Sequence, residues 1–182
     1  MDHGPDPGTT LASALVLLVA LIIINGFFAA AEMALVSANR TRIQVLEASG
    51  NKKATRLLAL LEEPTKFLSV IQVAITLAGF LASASAALVM AEDVGQWLSA
   101  WGIPYATQVA VVIVTLLLSY VMLVLGELYP KRLALNHPEK IALWCLHPIL
   151  GIAILGKPFV WFISKSVDFM LFITGQRRGA NP

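Results

Sequence analysis

From Leu11 to Ala38 the chain reads LASALVLLVALIIINGFFAAAEMALVSA. Leu11–Ala31 holds no charged residue, and apolar character resumes from Met33 to Ala38. A helix needs ~20 apolar residues to cross ~30 Å of hydrocarbon. Lipid satisfies no open backbone N–H or C=O, so a segment of this kind predicts a transmembrane helix. Two later stretches behave alike. Phe67–Ala91 is uncharged throughout, and so is Val94–Gly126. The start of the latter, with Trp97, Trp101, Gly102 and Pro104, reads as an interfacial loop. The third span proper then runs from Tyr105 to Leu128. The expectation is an all-α integral membrane protein with three transmembrane helices and juxtamembrane helices beside them.

Composition agrees. The 182 residues are 58% hydrophobic and 13% charged, half the ~25% charge of ordinary soluble domains. That balance excludes a typical soluble enzyme, a disordered chain and a nucleic-acid binder. One cysteine, Cys145, leaves no internal disulfide and no multi-cysteine metal cluster. The spans hold no His/Asp or Ser/His pair, so no enzyme is expected. The first span is long, lacks a basic leader and follows Asp2 and Asp6, which argues against a cleaved signal peptide.

The basic residues set an orientation. With three spans, all 13 Lys and Arg fall on one side. Arg40, Arg42, Lys52, Lys53, Arg56 and Lys66 lie between the first two spans, and the rest follow the third. The positive-inside rule places that side in the cytoplasm, with residues 1–10 outside. Residues 11–140 form the three-span domain and 141–182 the juxtamembrane region. Residues 41–63 predict one amphipathic helix ended by Pro64. Residues 141–173 are broken by Gly156-Lys157-Pro158 and predict two interfacial helices, rich in Trp144, Trp161, Phe159, Phe162, Phe169 and Phe172. A re-entrant hairpin is the alternative.

Polar groups inside apolar spans are costly and point to function. Asn25 and Glu32 lie two turns apart on one face of the first span, among small residues. Ser69, Gln72 and Thr76 share one face of the second. The third ends in Gly126-Glu127-Leu128-Tyr129-Pro130-Lys131-Arg132. Pro130 has no N–H and clashes with the carbonyl of Gly126, freeing that oxygen beside the Glu127 carboxylate. Carbonyl, carboxylate, amide and hydroxyl oxygens suit a hard cation such as Mg²⁺. The bland reading pairs Glu127 with Lys131 or Arg132, and Glu32 with Gln72, Asn39 or Arg40. Ser69 and Thr76 can equally bond back to their own helix. Cys145 reads as a buried small hydrophobe. Ala74, Ala78, Ala82 and Ala86 form one row of small residues, with Gly79, Ser83 and Ala87 in a second. They read as a packing seam, within a protomer or between two.

Three runs carry a resemblance. Asn25–Ser37 (NGFFAAAEMALVS), Pro64–Gly79 (PTKFLSVIQVAITLAG) and Gly126–Ala134 (GELYPKRLA) resemble the spans of the CorC/CNNM family of membrane Mg²⁺ transporters. Their order and spacing cover most of residues 11–140. The resemblance implies a homodimeric membrane domain that exports Mg²⁺ as substrate, coupled to Na⁺. Glu127, Gly126, Asn25 and Ser69 would be the ion ligands, with Gln72, Thr76, Glu32 and Ser37 in a second tier. It further implies that these 182 residues are a truncated membrane domain, preceding cytoplasmic CBS domains that bind ATP. A Mg²⁺-sensing regulator or scaffold that moves nothing is the alternative. Nothing in the sequence suggests a nucleic-acid partner; the lipid bilayer is the other surface these spans meet.

One experiment tests the orientation. In a Cys145→Ser background, Arg178→Cys should react with a membrane-impermeant thiol reagent only from the cytoplasmic side. Reaction only from outside would require a fourth span.

Overall fold

The apolar stretches become three long helices. In the computed structural model, which describes residues 7–62 and 64–174, α1 is Pro7–Ser37, α2 Arg40–Ala48, α3 Lys52–Glu62 and α4 Pro64–Ala100. Then come α5 (Ala106–Leu123), a π-helical turn (Val124–Leu128), α6 (Tyr129–Asn136) and α7 (Pro138–Ile173). Among the described residues, three segments are long and apolar enough to cross a membrane: Leu11–Ser37, Phe67–Ala100 and Ala106–Asn136. The protein is thus an all-helical membrane domain. Asp2, Asp6, Arg177 and Arg178, used in the topology argument, lie outside the described residues.

Helix α1 packs against α4, α6, α7 and the π-turn, and α4 also packs against α5. Two apolar clusters result. Leu18, Ala82, Ala86, Val114, Leu118 and Met122 pack where the three spans meet. The larger cluster lies toward the end that carries the basic residues. It joins Phe28, Ala31 and Leu35 of α1 to Ile43 of α2, Leu57 and Leu61 of α3, Ile71 and Ile75 of α4, and Cys145, Leu146 and Ile149 of α7. Of the two rows of small residues, Ala78, Ala82 and Ala86 are buried within the protomer. A Cβ added at Gly79, in the second row, would meet nothing within 4 Å.

The structure corrects four boundaries. Residues 41–63 form two helices, not one. The Gly50 and Asn51 N–H groups donate to Glu47 O (2.8 Å) and Leu46 O (3.1 Å), a closing motif that needs the positive φ of Gly50 (87°). Asn51 Oδ1 then caps α3, accepting from Lys53 N–H at 3.0 Å. The second span continues past Val94, leaving residues 101–105 as the loop. The same pattern ends it, with Gly102 N–H donating to Ser99 O and Ile103 N–H to Leu98 O. The third span does not stop at Leu128: helix continues through Pro130 to Asn136.

The fourth correction concerns residues 141–173. They form a single helix, with Pro148 and Pro158 inside it. Burial overrides the breakers. Ala142, Cys145, Leu146 and Ile149 are no more than 1% exposed, and Gly156 lets α7 approach α4, where an added Cβ would lie 3.4 Å from Val70 Cγ1. Beyond it, Trp161, Phe162, Phe169 and Phe172 are exposed.

Cys145 is completely buried, and burial pushes its thiol up from 9.0 to about 12. The fold therefore favours the protonated thiol. Its contribution to stability is complete below the unfolded pKa and is lost as pH rises toward 12. The natural protein should resist maleimide at pH 7 and iodoacetamide at pH 9, and react with both once unfolded in detergent. Rapid labelling of the folded protein at pH 9 would contradict this packing.

Candidate functional site

The site begins with a backbone defect. In an α-helix the N–H of residue 130 would bond Gly126 O, and proline has none. The chain widens into a π-turn, with Tyr129 N–H donating to Val124 O, five residues back. Asn25 Nδ2 donates to the released Gly126 carbonyl at 2.8 Å. Asn25 is the buried polar residue of α1, 3% exposed, so its amide lies where an unpaired carbonyl would cost ~1–3 kcal/mol.

Two glycines permit this approach. A Cβ on Gly126 would come within 3.1 Å of Asn25 Nδ2, and one on Gly26 within 3.0 Å of Pro130 Cγ. Asn25-Gly26 is thus seated on Gly126 and Pro130. The contact lies between the two apolar clusters, since Leu18 of α1 belongs to one and Phe28 to the other.

One turn nearer the basic end, a lysine joins two carboxylates. Lys131 Nζ donates to Glu127 Oε1 at 2.8 Å and lies 3.0 Å from Glu32 Oε2. Glu127 thus makes the pairing with Lys131 that the sequence offered as its bland reading. Glu32 does not pair with Gln72, Asn39 or Arg40. Asn39 instead caps α2, accepting from Thr41 N–H at 2.9 Å, and Arg40 Nη2 donates to Leu61 O. Among the described residues, two buried side-chain oxygens have no hydrogen-bond donor, and both are here: Asn25 Oδ1 and Glu32 Oε2. The Glu32–Lys131 contact, at 3.0 Å, is therefore chiefly one of charge and less well aligned than that of Glu127.

A cleft of about 320 Å³ opens beside this centre, lined by Asn25, Gln72, Thr76, Ser83, Ser119 and Glu127, among others. Three of the four leading sequence candidates, Asn25, Gly126 and Glu127, come together. Gln72 and Thr76 line the same cleft, with Thr76 Oγ1 also donating to Gln72 O at 2.8 Å. Ser69 lies elsewhere, in a cleft between α4 and α7 with Val73, Ser164 and Asp168. Ser37 Oγ lies 3.5 Å from Met33 Sδ, at the end of α1. Sequence reasoning gave Ser83 and Ser119 no role at the site. Ser119 is a hydroxyl in an apolar stretch that also holds Thr115 and Tyr120, a signal of the same kind as Ser69.

Residues 16–182 match the Cyclin M transmembrane N-terminal domain, CNNM. The chain belongs to this family. A UPF0053 protein of Synechocystis sp. (sll0260) is 36% identical over 157 residues, covering 85% of this chain and 35% of its own length. The Escherichia coli UPF0053 inner membrane protein YfjD is 28% identical over 152 residues, covering 84% of this chain and 33% of itself. A Haemophilus influenzae protein named as a polyamine export protein is 28% identical over 162 residues, covering 85% and 37%. The chain thus spans about a third of the length of these curated relatives. The CNNM match covers the first span from residue 16 and the whole of the second and third spans, the π-turn and α7.

The tight seat makes a prediction. Gly26→Val should drive a branched side chain into Pro130 and lower stability by ~1–3 kcal/mol, read as a lower melting temperature in detergent. An unchanged melt would show that α1 and Pro130 are not in contact.

Proposed function

We propose that this CNNM domain exports Mg²⁺ by alternating access, coupled to Na⁺ entry, as a homodimer in a bacterial inner membrane. One observation carries the reading. The Gly126 carbonyl, the Glu127 carboxylate and the unpaired Asn25 Oδ1 lie together in a polar layer between apolar clusters. Such oxygens suit Mg²⁺, which takes short octahedral contacts of ~2.0–2.1 Å and keeps several waters. Gln72 and Thr76 supply further oxygens. Ser69 lies toward α7 and would join the set only if α4 turned.

The asymmetry of charge supports the orientation. The basic residues gather where α1 ends and α4 begins, which the positive-inside rule makes cytoplasmic, with the N-terminus outside. Glu127 lies toward that end, with Glu32 beside it across Lys131, and would receive the ion there. Na⁺ acts in this scheme by binding the outward-open state better than the inward one. The dimer is supported by the open cleft. Exposed Gln72, Thr76 and Ser119 are poorly suited to hydrocarbon, and a second protomer across the Gly79 face would cover them.

A second reading has its own observation. The acid pair already holds a primary ammonium, that of Lys131, at 2.8 and 3.0 Å. An organic polycation presents the same group, and one relative is named for polyamine export.

Proteoliposomes decide among these. Mg²⁺ loss should accelerate with an inward Na⁺ gradient, and Glu127→Gln should cut the flux at least ~10-fold. Glu127→Asp should fail nearly as badly, because the shorter side chain retracts the ligand. Mg²⁺ binding without flux would favour a regulator, and flux of a labelled polyamine without Mg²⁺ would favour the organic cation.

A further inference from the structure

We infer that the cation site is closed from within, and that Lys131 sets its selectivity for doubly charged ions by exchanging between Glu127 and Glu32. The inference rests on the Mg²⁺ reading above. Two of the proposed ligands are already engaged by donors of the chain itself. The ammonium of Lys131 is on Glu127, and the amide N–H of Asn25 is on the Gly126 carbonyl. An incoming cation must displace both.

The geometry provides for both displacements. Lys131 bridges acids from two different spans, and its side chain and that of Glu32 are each 21% exposed. Glu32 Oε2 lies buried without a directed donor, a seat half filled. An ammonium has three N–H donors, so Lys131 can leave Glu127 and bond Glu32 fully without crossing the bilayer. Glu32 is then the resting place of the lysine while the cation is bound, and not a ligand. Asn25 has the matching freedom. Turning its amide about the broad, two-fold terminal torsion replaces Nδ2 with Oδ1 beside the Gly126 oxygen. Two oxygens repel there unless a cation lies between them, so the turned amide needs the ion.

Selectivity follows from charge. A monovalent ion at Glu127 gains about what the departing ammonium loses. A divalent ion gains about twice as much. Competition with Lys131 therefore penalises Na⁺ more than Mg²⁺ in relative terms. Because the lysine-displaced state is only part of the population, apparent affinity is reduced for every ion that must wait for the lysine to leave.

Calorimetry of Mg²⁺ on the full chain in nanodiscs, with Na⁺ as competitor, tests this. Lys131→Met keeps the aliphatic stem and removes the ammonium. It should bind Mg²⁺ roughly 10-fold more tightly, and Na⁺ should compete more effectively than in the natural protein. Glu32→Gln leaves Lys131 only Glu127 and should bind Mg²⁺ more weakly. The double variant should match Lys131→Met. A double variant as weak as Glu32→Gln would make Glu32 a ligand and overturn the exchange. Lys131→Met that melts normally but binds no more tightly would do the same. Should Lys131→Met fail to fold, amine acetylation of Lys131 in the natural protein replaces it. Labelling should quicken when Mg²⁺ is added, and unchanged or slower labelling overturns the inference. Natural protein that binds no Mg²⁺ would remove the transport reading and this inference together. Binding with no effect of Lys131 removes only the latter.

Discussion

A proline at position 130 deprives the third span of one N–H, and the carbonyl at Gly126 must find its partner outside the helix. In hydrocarbon that partner cannot be bulk water. The helix widens into a π-turn and turns the carbonyl toward α1, where the Asn25 amide meets it at 2.8 Å. This contact fixes the register of α1 against the third span. Gly26 then faces Pro130, and Glu32, two turns along α1, comes within 3.0 Å of Lys131. Glycine at 26 and 126 is what allows two backbones to lie close enough for one short side chain to bridge them.

The same contact separates two apolar regions. Above it the three spans pack through Ala82 and Ala86 against Leu18, Val114 and Leu118. Below it α1 is buried in a collar made by α2, α3 and α7. The polar layer is therefore held from both sides, and its partly unsatisfied oxygens persist because apolar burial on either side offsets their cost.

The collar is tied together by short polar links. Arg40 donates to the last turn of α3, and Arg42 lies 3.8 Å from Glu139, whose carboxylate also accepts from the Asn39 N–H. Its interior is apolar, with Ile43, Leu57, Cys145, Leu146 and Ile149 fully or almost fully buried. Helix α7, itself part of the collar, touches α1, α3, α4 and α6, so it links the collar to all three spans.

The three spans, the Asn25–Glu32 face and the freed Gly126 carbonyl were legible in the residues alone. Length and hydropathy dictate membrane crossing, and the chemistry of Pro130 is local to its own helix. The Ser-Gly-Asn turn at 49–51 carries a local signal, a glycine at a helix end, but the apolar periodicity of residues 41–63 runs across it. Other features depended on distance in space. That Asn25, over a hundred residues away, would take the Gly126 carbonyl followed from the register of two spans. That Glu32 and Glu127 would share Lys131 required α1 to lie against α6. Whether Ser69 or Ser119 faces the cleft depended on the rotation of α4 and α5, and periodicity gives the face of a helix but not its neighbour. Helix α7 runs through Pro148 and Pro158 because one side is buried, a term that no local propensity contains.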